Sequence, residues 1–346
     1  MVLLVLSVVG SACTGGAARH PSAVPTSTGA PPRAPEVATT TSVTVPPTLP
    51  APPHPYAVGI RTETFADTAR PTPATSAGPA SPRRTLPTTI WYPAAGNDSG
   101  RDVVDGAAAV GAGPFPLVVW GHGFDTRAGD YRSFLHRWVQ AGYVIAAPDF
   151  PASTSQRERP GTGPATTADE GSEPGDLSFT ATSVLRLSAA PDGPLAGLVD
   201  PRRVIAAGHS QGAADALAMT FAQCCRDQRV DAAVIVAGAE RPDLFGAYRY
   251  AANHTPTLVE QGDRDRYLTV DGARQLYGHL STPKFLLVLR GADHNTPKQD
   301  ADDEPTRLLA QAVADFCDHY IKGVDIGDRL AREAHDSGFA DLTAAP

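Results

Sequence analysis

The sequence predicts an α/β fold, a mostly parallel central sheet with helices on both faces. Three observations predict it. Short continuous apolar runs alternate with segments of helical spacing from Tyr56 onward. The runs are bounded by Pro and Gly and do not alternate apolar with polar, as expected of strands buried on both faces. The candidate reactive residues fall just after such runs, where open parallel sheets gather their functional groups.

Residues 56–65 and 85–92 open the domain as strands, followed by a Pro/Gly/Ala loop over 93–113. The run Pro116-Leu117-Val118-Val119-Trp120 is the first buried parallel strand, and Phe134, Leu135, Trp138 and Val139 give residues 131–141 helical spacing. Residues 143–147 form the next strand. A polar loop over 151–175 then interrupts the pattern, and Asp176 is expected to cap the helix carrying Phe179, Val184, Leu185 and Leu187. Further strands are expected at 203–207, 230–237, 256–261 and 284–290, with helices at 213–219, 271–280 and 305–321.

Composition excludes several classes. The net charge of −8 comes with no basic stripe, so nucleic acid is not expected as a partner. None of the 10 histidines sits in a metal-ligand spacing, so neither a metal nor another cofactor is expected. Residues 2–9 form an apolar core too short to span a bilayer, leading into Gly10-Ser11-Ala12-Cys13. Residues 1–18 therefore read as an export signal. Its end is similar to the lipobox of bacterial lipoproteins, with Cys13 as the lipidated residue, although Gly10 stands where a large aliphatic residue is usual and no Lys or Arg precedes the core. A plain secretory signal is the alternative. Residues 19–54, rich in Pro, Thr and Ala, cannot bury enough surface to offset their ordering entropy and are expected to be a disordered tether. The catalytic domain is expected over 55–330, with 331–346 as a tail. The expected location is outside the cell, free or held on the outer face of a bacterial membrane by that lipid alone, as a monomer. In that oxidising setting Cys317 is open to pairing with Cys224 or Cys225.

The chemistry centres on Gly208-His209-Ser210-Gln211-Gly212, between an apolar run and a helical one. A Gly-x-Ser-x-Gly so placed is a nucleophile elbow, which raises the Ser210 hydroxyl above the sheet. That hydroxyl needs a base, and the base needs an acid to hold its tautomer. Of His254, His279, His294, His319 and His335, only His294 immediately follows a strand. The acid lies in Gly262-Asp263-Arg264-Asp265: Asp265 reaches deeper into the loop, and Asp263 suits a turn. Asp293 reads as a loop residue. The backbone N–H groups of Gln211 and Phe124 are the expected oxyanion donors, Phe124 from the loop Gly121-His122-Gly123-Phe124-Asp125. His122 and His209 are expected to hold these two loops by hydrogen bonds. Loop 151–175 is expected to border the entrance, with Asp125, Phe150 and Tyr267 lining the pocket.

These residues together resemble the α/β-hydrolase superfamily. Within it the chain is similar to dienelactone-hydrolase-like and platelet-activating-factor-acetylhydrolase-like serine esterases, relatives of the cutinase-type polyester hydrolases. Segments 84–93, 116–124, 174–179, 256–265 and 291–294 carry the likeness with the elbow. It implies an α/β-hydrolase fold, an acid at Asp265, and cleavage of small or polymeric carboxylic esters through an acyl-enzyme. Dienelactone hydrolases use a cysteine where this chain has Ser210. The cutinase-type enzymes carry a tryptophan where this chain reads Ala237-Gly238-Ala239-Glu240-Arg241-Pro242. Peptidase or amidase action on the same three residues, and a non-catalytic binding lipoprotein, are the alternatives.

Overall fold

The computed structural model describes residues 55–158, 161–299 and 303–346. The expected export signal, Cys13 and the tether lie outside the described residues. Among those described, ten strands form one sheet. They are β1 (Tyr56–Asp67), β2 (Arg84–Asn97), β3 (Val103–Val104), β4 (Phe115–Gly121), β5 (Val144–Pro148), β6 (Val199–His209), β7 (Val230–Val236), β8 (Thr257–Gly262), β9 (Lys284–Leu289) and β10 (Ala340–Ala345). Their order is β10-β9-β8-β7-β6-β4-β5-β2-β1-β3. Strands β4 to β9 run parallel, while β2 pairs antiparallel with β5 and β10 antiparallel with β9.

The helices are α1 (Arg132–Gln140), α2 (Glu173–Ala189), α3 (Gln211–Phe221), α4 (Pro242–Phe245), α5 (Val270–His279), α6 (Glu304–Lys322) and α7 (Arg329–Ser337). The apolar runs explain how they are distributed. Ile205 and Ala207 of β6 point into one core, and Ala206 points into the other. Val118 and Trp120 of β4 likewise oppose Leu117 and Val119. The first core receives Phe134 and Trp138 of α1, Phe316 of α6 and Leu330 of α7. The second receives Leu177 of α2, Leu217 of α3 and Leu276 of α5. Burying a Val, Leu or Ile is worth roughly 2 kcal/mol, whereas strand propensity spans only about 1 kcal/mol. Double-sided burial therefore sets these central strands.

Three expectations need correction. Asp176 does not cap α2: the helix starts a turn earlier, with Pro174 tolerated in its first turn. Asp176 is instead buried inside it, its two carboxylate oxygens accepting from Arg84 Nε at 2.7 Å and Nη2 at 2.5 Å. Arg84 Nη1 reaches Asp169 at 2.7 Å, which ties β2 to the approach to α2. Second, residues 331–346 are no tail. Leu330 and Ala334 bury one side of α7 and Ala340 starts β10, whose pairing completes the sheet edge. Third, the bridge joins Cys224 to Cys225, while Cys317 is free and buried in the first core.

Candidate active site

The turn from β6 into α3 places Ser210 at φ 56° and ψ −118°, a backbone region that non-glycine residues rarely adopt. Steric crowding explains the glycines on either side. A Cβ on Gly208 would lie 2.3 Å from the Gly212 carbonyl oxygen, and one on Gly212 would lie 2.2 Å from the Gly121 carbonyl. The end of β4 and the start of α3 thus touch backbone to backbone, which brings the loop after β4 beside Ser210.

The loops after β8 and β9 supply the other two groups. His294 Nε2 lies 2.9 Å from Ser210 Oγ, and His294 Nδ1 lies 2.7 Å from Asp265 Oδ2. A carboxylate only accepts, so Nδ1 carries the proton and Nε2 is free to accept from the serine hydroxyl. Asp265 also accepts the N–H groups of Tyr267 at 2.7 Å and Leu268 at 3.0 Å, and Gln261 Nε2 at 2.9 Å. Burial opposes its charge, but these bonds and that of His294 outweigh it and bring the carboxyl down to about 2. Burial and then the Asp265 charge push the buried Glu260 up to about 8. Asp263 accepts the Gly291 N–H at 2.7 Å, clamping the two loops together. Asp293 accepts the Asn295 N–H at 2.8 Å. His254, His279 and His319 bond elsewhere, to Thr282, Glu240 and Val324, and His335 lies in α7.

His209 connects three loops. The His294 carbonyl can only accept, so His209 Nε2 donates to it at 2.7 Å, and Nδ1 then accepts from Tyr131 Oη at 2.9 Å. Tyr131 Oη in turn accepts the Gly123 N–H at 2.9 Å. Burial, followed by the charges of His294 and Lys298, lowers His209 to about 3, so its ring stays neutral. His122 braces the same loop through Gly123 O at 2.8 Å and Thr154 Oγ1 at 2.9 Å. The Phe124 and Gln211 N–H groups have no hydrogen-bond partner among the described residues. Beneath Gln211, its side chain donates to the buried Glu173 at 2.7 Å. Glu173 neighbours the buried Asp215, and burial raises the pKa of both carboxyls.

These groups border a half-open cavity of about 400 Å³. Tyr267 lines it as expected, 78% exposed and tilted over His294 with ring centroids 4.9 Å apart. Phe124 stands 44% exposed on the side of the loop after β4, and Thr167 and Glu170 bring the 151–175 loop to the rim. Two expected lining residues are corrected. Phe150 is wholly buried against the His122 ring, with centroids 4.8 Å apart. Asp125, at φ 52°, turns into a separate shallow depression beside Arg157 and Pro164. The sequence reading missed Arg241, which pairs with Glu170 at 2.7 Å, and Lys298. Lys298 stands four residues past His294 in one loop, the only signal available for it. Among the described residues, no group of three or more His, Cys, Asp or Glu side chains is placed to hold a metal ion.

No protein-family model matches the chain, and no curated protein matches it. Among solved structures it is similar to a ferulic acid esterase from Streptomyces cinnamoneus, with a TM-score of 0.62 at 22% identity. The match covers 86% of this chain and 99% of that one. With the sheet order above, this establishes the α/β-hydrolase fold.

Proposed function

We propose that this chain is a serine hydrolase of carboxylic esters, with Ser210 as nucleophile, His294 as base and Asp265 as the acid that orients it. The observation that carries this reading is the continuous line Ser210 Oγ–His294–Asp265, at 2.9 and 2.7 Å, at the rim of an open cavity. Ser210 Oγ attacks the ester carbonyl as its proton passes to His294 Nε2. The Phe124 and Gln211 N–H groups, which have no partner among the described residues, receive the developing oxyanion. As the tetrahedral species collapses, the carbonyl–alkoxy bond breaks and the alcohol leaves with the proton from His294. Water then gives a proton to the same nitrogen, attacks the acyl carbon and releases the acid, restoring Ser210. Asp265 stays ionised throughout and stabilises the imidazolium. The likeness to an esterase favours esters over amides as substrates, and the exposed Phe124 and Tyr267 rings give an acyl or alcohol group apolar surface to lie on.

The reading extends to place: residues 1–18 direct export, Cys13 carries the lipid, and residues 19–54 hold the domain off the membrane. Hydrolysis of 4-nitrophenyl acetate by purified protein, abolished in Ser210→Ala at unchanged thermal stability, tests the assignment, together with fluorophosphonate labelling of Ser210. Turnover retained in Ser210→Ala would sink it. Palmitate incorporation lost in Cys13→Ser tests the anchor, and incorporation retained in that variant excludes it.

A further inference from the structure

Besides the His209 and His294 rings, three charged side chains among the described residues line the cavity: Glu170, Arg241 and Lys298. Two of them cancel. Arg241 Nη1 lies 2.7 Å from Glu170, and its remaining nitrogens hold Asp243 at 3.1 and 3.0 Å, so its guanidinium is fully engaged. Lys298 differs. It is half-buried, and among the described residues no carboxylate lies within ion-pair distance of its ammonium. Asp130 and Asp293 are near enough to be felt, but each is engaged elsewhere, Asp130 by Arg127 and Asp293 by the Asn295 N–H. Burial lowers the Lys298 ammonium, and the Asp130 and Asp293 charges offset that cost only in part. Its charge also reaches the ring of His209, next to the nucleophile.

This is unusual in a chain with 37 acidic and 29 basic residues, where a carboxylate partner is easily supplied. A half-buried ammonium lining this cavity, with no carboxylate at ion-pair distance among the described residues, is a ready receptor for a negative group on the ligand. Resting on the ester-hydrolase reading, we infer that Lys298 is a specificity-determining residue and that the preferred substrates are esters bearing a carboxylate, held by the Lys298 ammonium while the ester carbonyl meets Ser210. A half-ester of a dicarboxylic acid carries this charge on the acyl side. An ester formed on the hydroxyl of a hydroxy acid carries it on the alcohol side.

Two matched pairs separate these sources: monophenyl adipate against its monoamide, and 4-acetoxybenzoate against 4-acetoxybenzamide. The native protein is expected to favour the carboxylate member of one pair by about ten- to a hundredfold in kcat/KM, mostly through KM, as suits a charge-assisted hydrogen bond. Lys298→Met should collapse that ratio to near one, Lys298→Arg should keep most of it, and high salt should erode it in the native protein. Ratios at or below one in both pairs, or a ratio that survives Lys298→Met, overturn the inference. Turnover of the neutral members tests the ester-hydrolase reading separately. If no ester is turned over, calorimetry of 4-hydroxybenzoate against 4-hydroxybenzamide decides the anion site. Preference for the acid that is lost in Lys298→Met sustains it, and equal binding rejects it.

Discussion

Gly212→Ala puts the strand-to-helix contact under direct load. The added Cβ would sit 2.2 Å from the Gly121 carbonyl carbon and oxygen and 2.6 Å from the His122 carbonyl oxygen. Ordinary contact begins near about 3.5 Å, so a gap of more than about 1 Å must open between α3 and the end of β4. Both sides are backbone, so no side chain can rotate away. The displaced segment leads into Phe124, whose N–H is the proposed oxyanion donor, and misplacing a catalytic group by about 1 Å costs around a hundredfold in rate. Overpacking should cost a further 1–3 kcal/mol or so of stability. The assay is kcat/KM on 4-nitrophenyl acetate beside urea unfolding. Gly278→Ala is the control: a Cβ there meets nothing within 4 Å inside α5, so it should stabilise by about 0.5–1 kcal/mol and leave the rate alone. Native rate and stability in Gly212→Ala would refute the packing argument.

Asp265→Asn should lower kcat by about a thousandfold or more, since an amide neither holds the Nδ1–H tautomer nor balances the imidazolium. The same variant has a pH signature. The folded carboxyl titrates near 2, below its unfolded value of about 3.9, so its stabilisation is complete above pH ~4 and fades as pH falls toward 2. The side chain is sealed from solvent, so the stability gap between native and variant, on the order of 2 kcal/mol at neutral pH, should narrow through that window in acid unfolding curves. Arg84→Met leaves Asp169 buried without its cation and Asp176 with Arg70 alone, and should cost about 3–5 kcal/mol in denaturant titrations. Alkylation followed by mass spectrometry should leave Cys317 unmodified in the native protein and label it once unfolded, because the thiol is buried and burial raises its pKa.

The features legible in the sequence were those set by one-dimensional pattern. Apolar runs such as 116–120 and 203–207 located the parallel strands, because burial on both faces leaves no polar alternation. Ser210, His294 and Asp265 were legible because each follows a strand, and strand ends converge at one edge of a parallel sheet. Side-chain direction was not legible. Phe150 follows β5 just as Phe124 follows β4, yet one ring fills the core and the other faces solvent. Asp176 has the residue type of a cap, and only its distant partner Arg84, 92 positions earlier, shows it to be a buried ion-pair member. The last strand was hidden because β10 is an edge strand of mixed polarity and carries no apolar run. Lys298 became visible only through its place on the cavity with no carboxylate at ion-pair distance among the described residues, a property of three-dimensional surroundings.

The bonds made by His209 bear on how the site can adapt. Through Tyr131 and the His294 carbonyl, one neutral ring joins the loops after β4, β6 and β9. Opening any one of them breaks bonds that belong to the other two, so they form a single unit of local unfolding, with amide protons that should exchange together. Thr167 and the largely exposed Tyr267 line the cavity outside that unit. On the proposed reading, a change of substrate range would then be expected from changes at those two residues, while the loops joined by His209 keep their places.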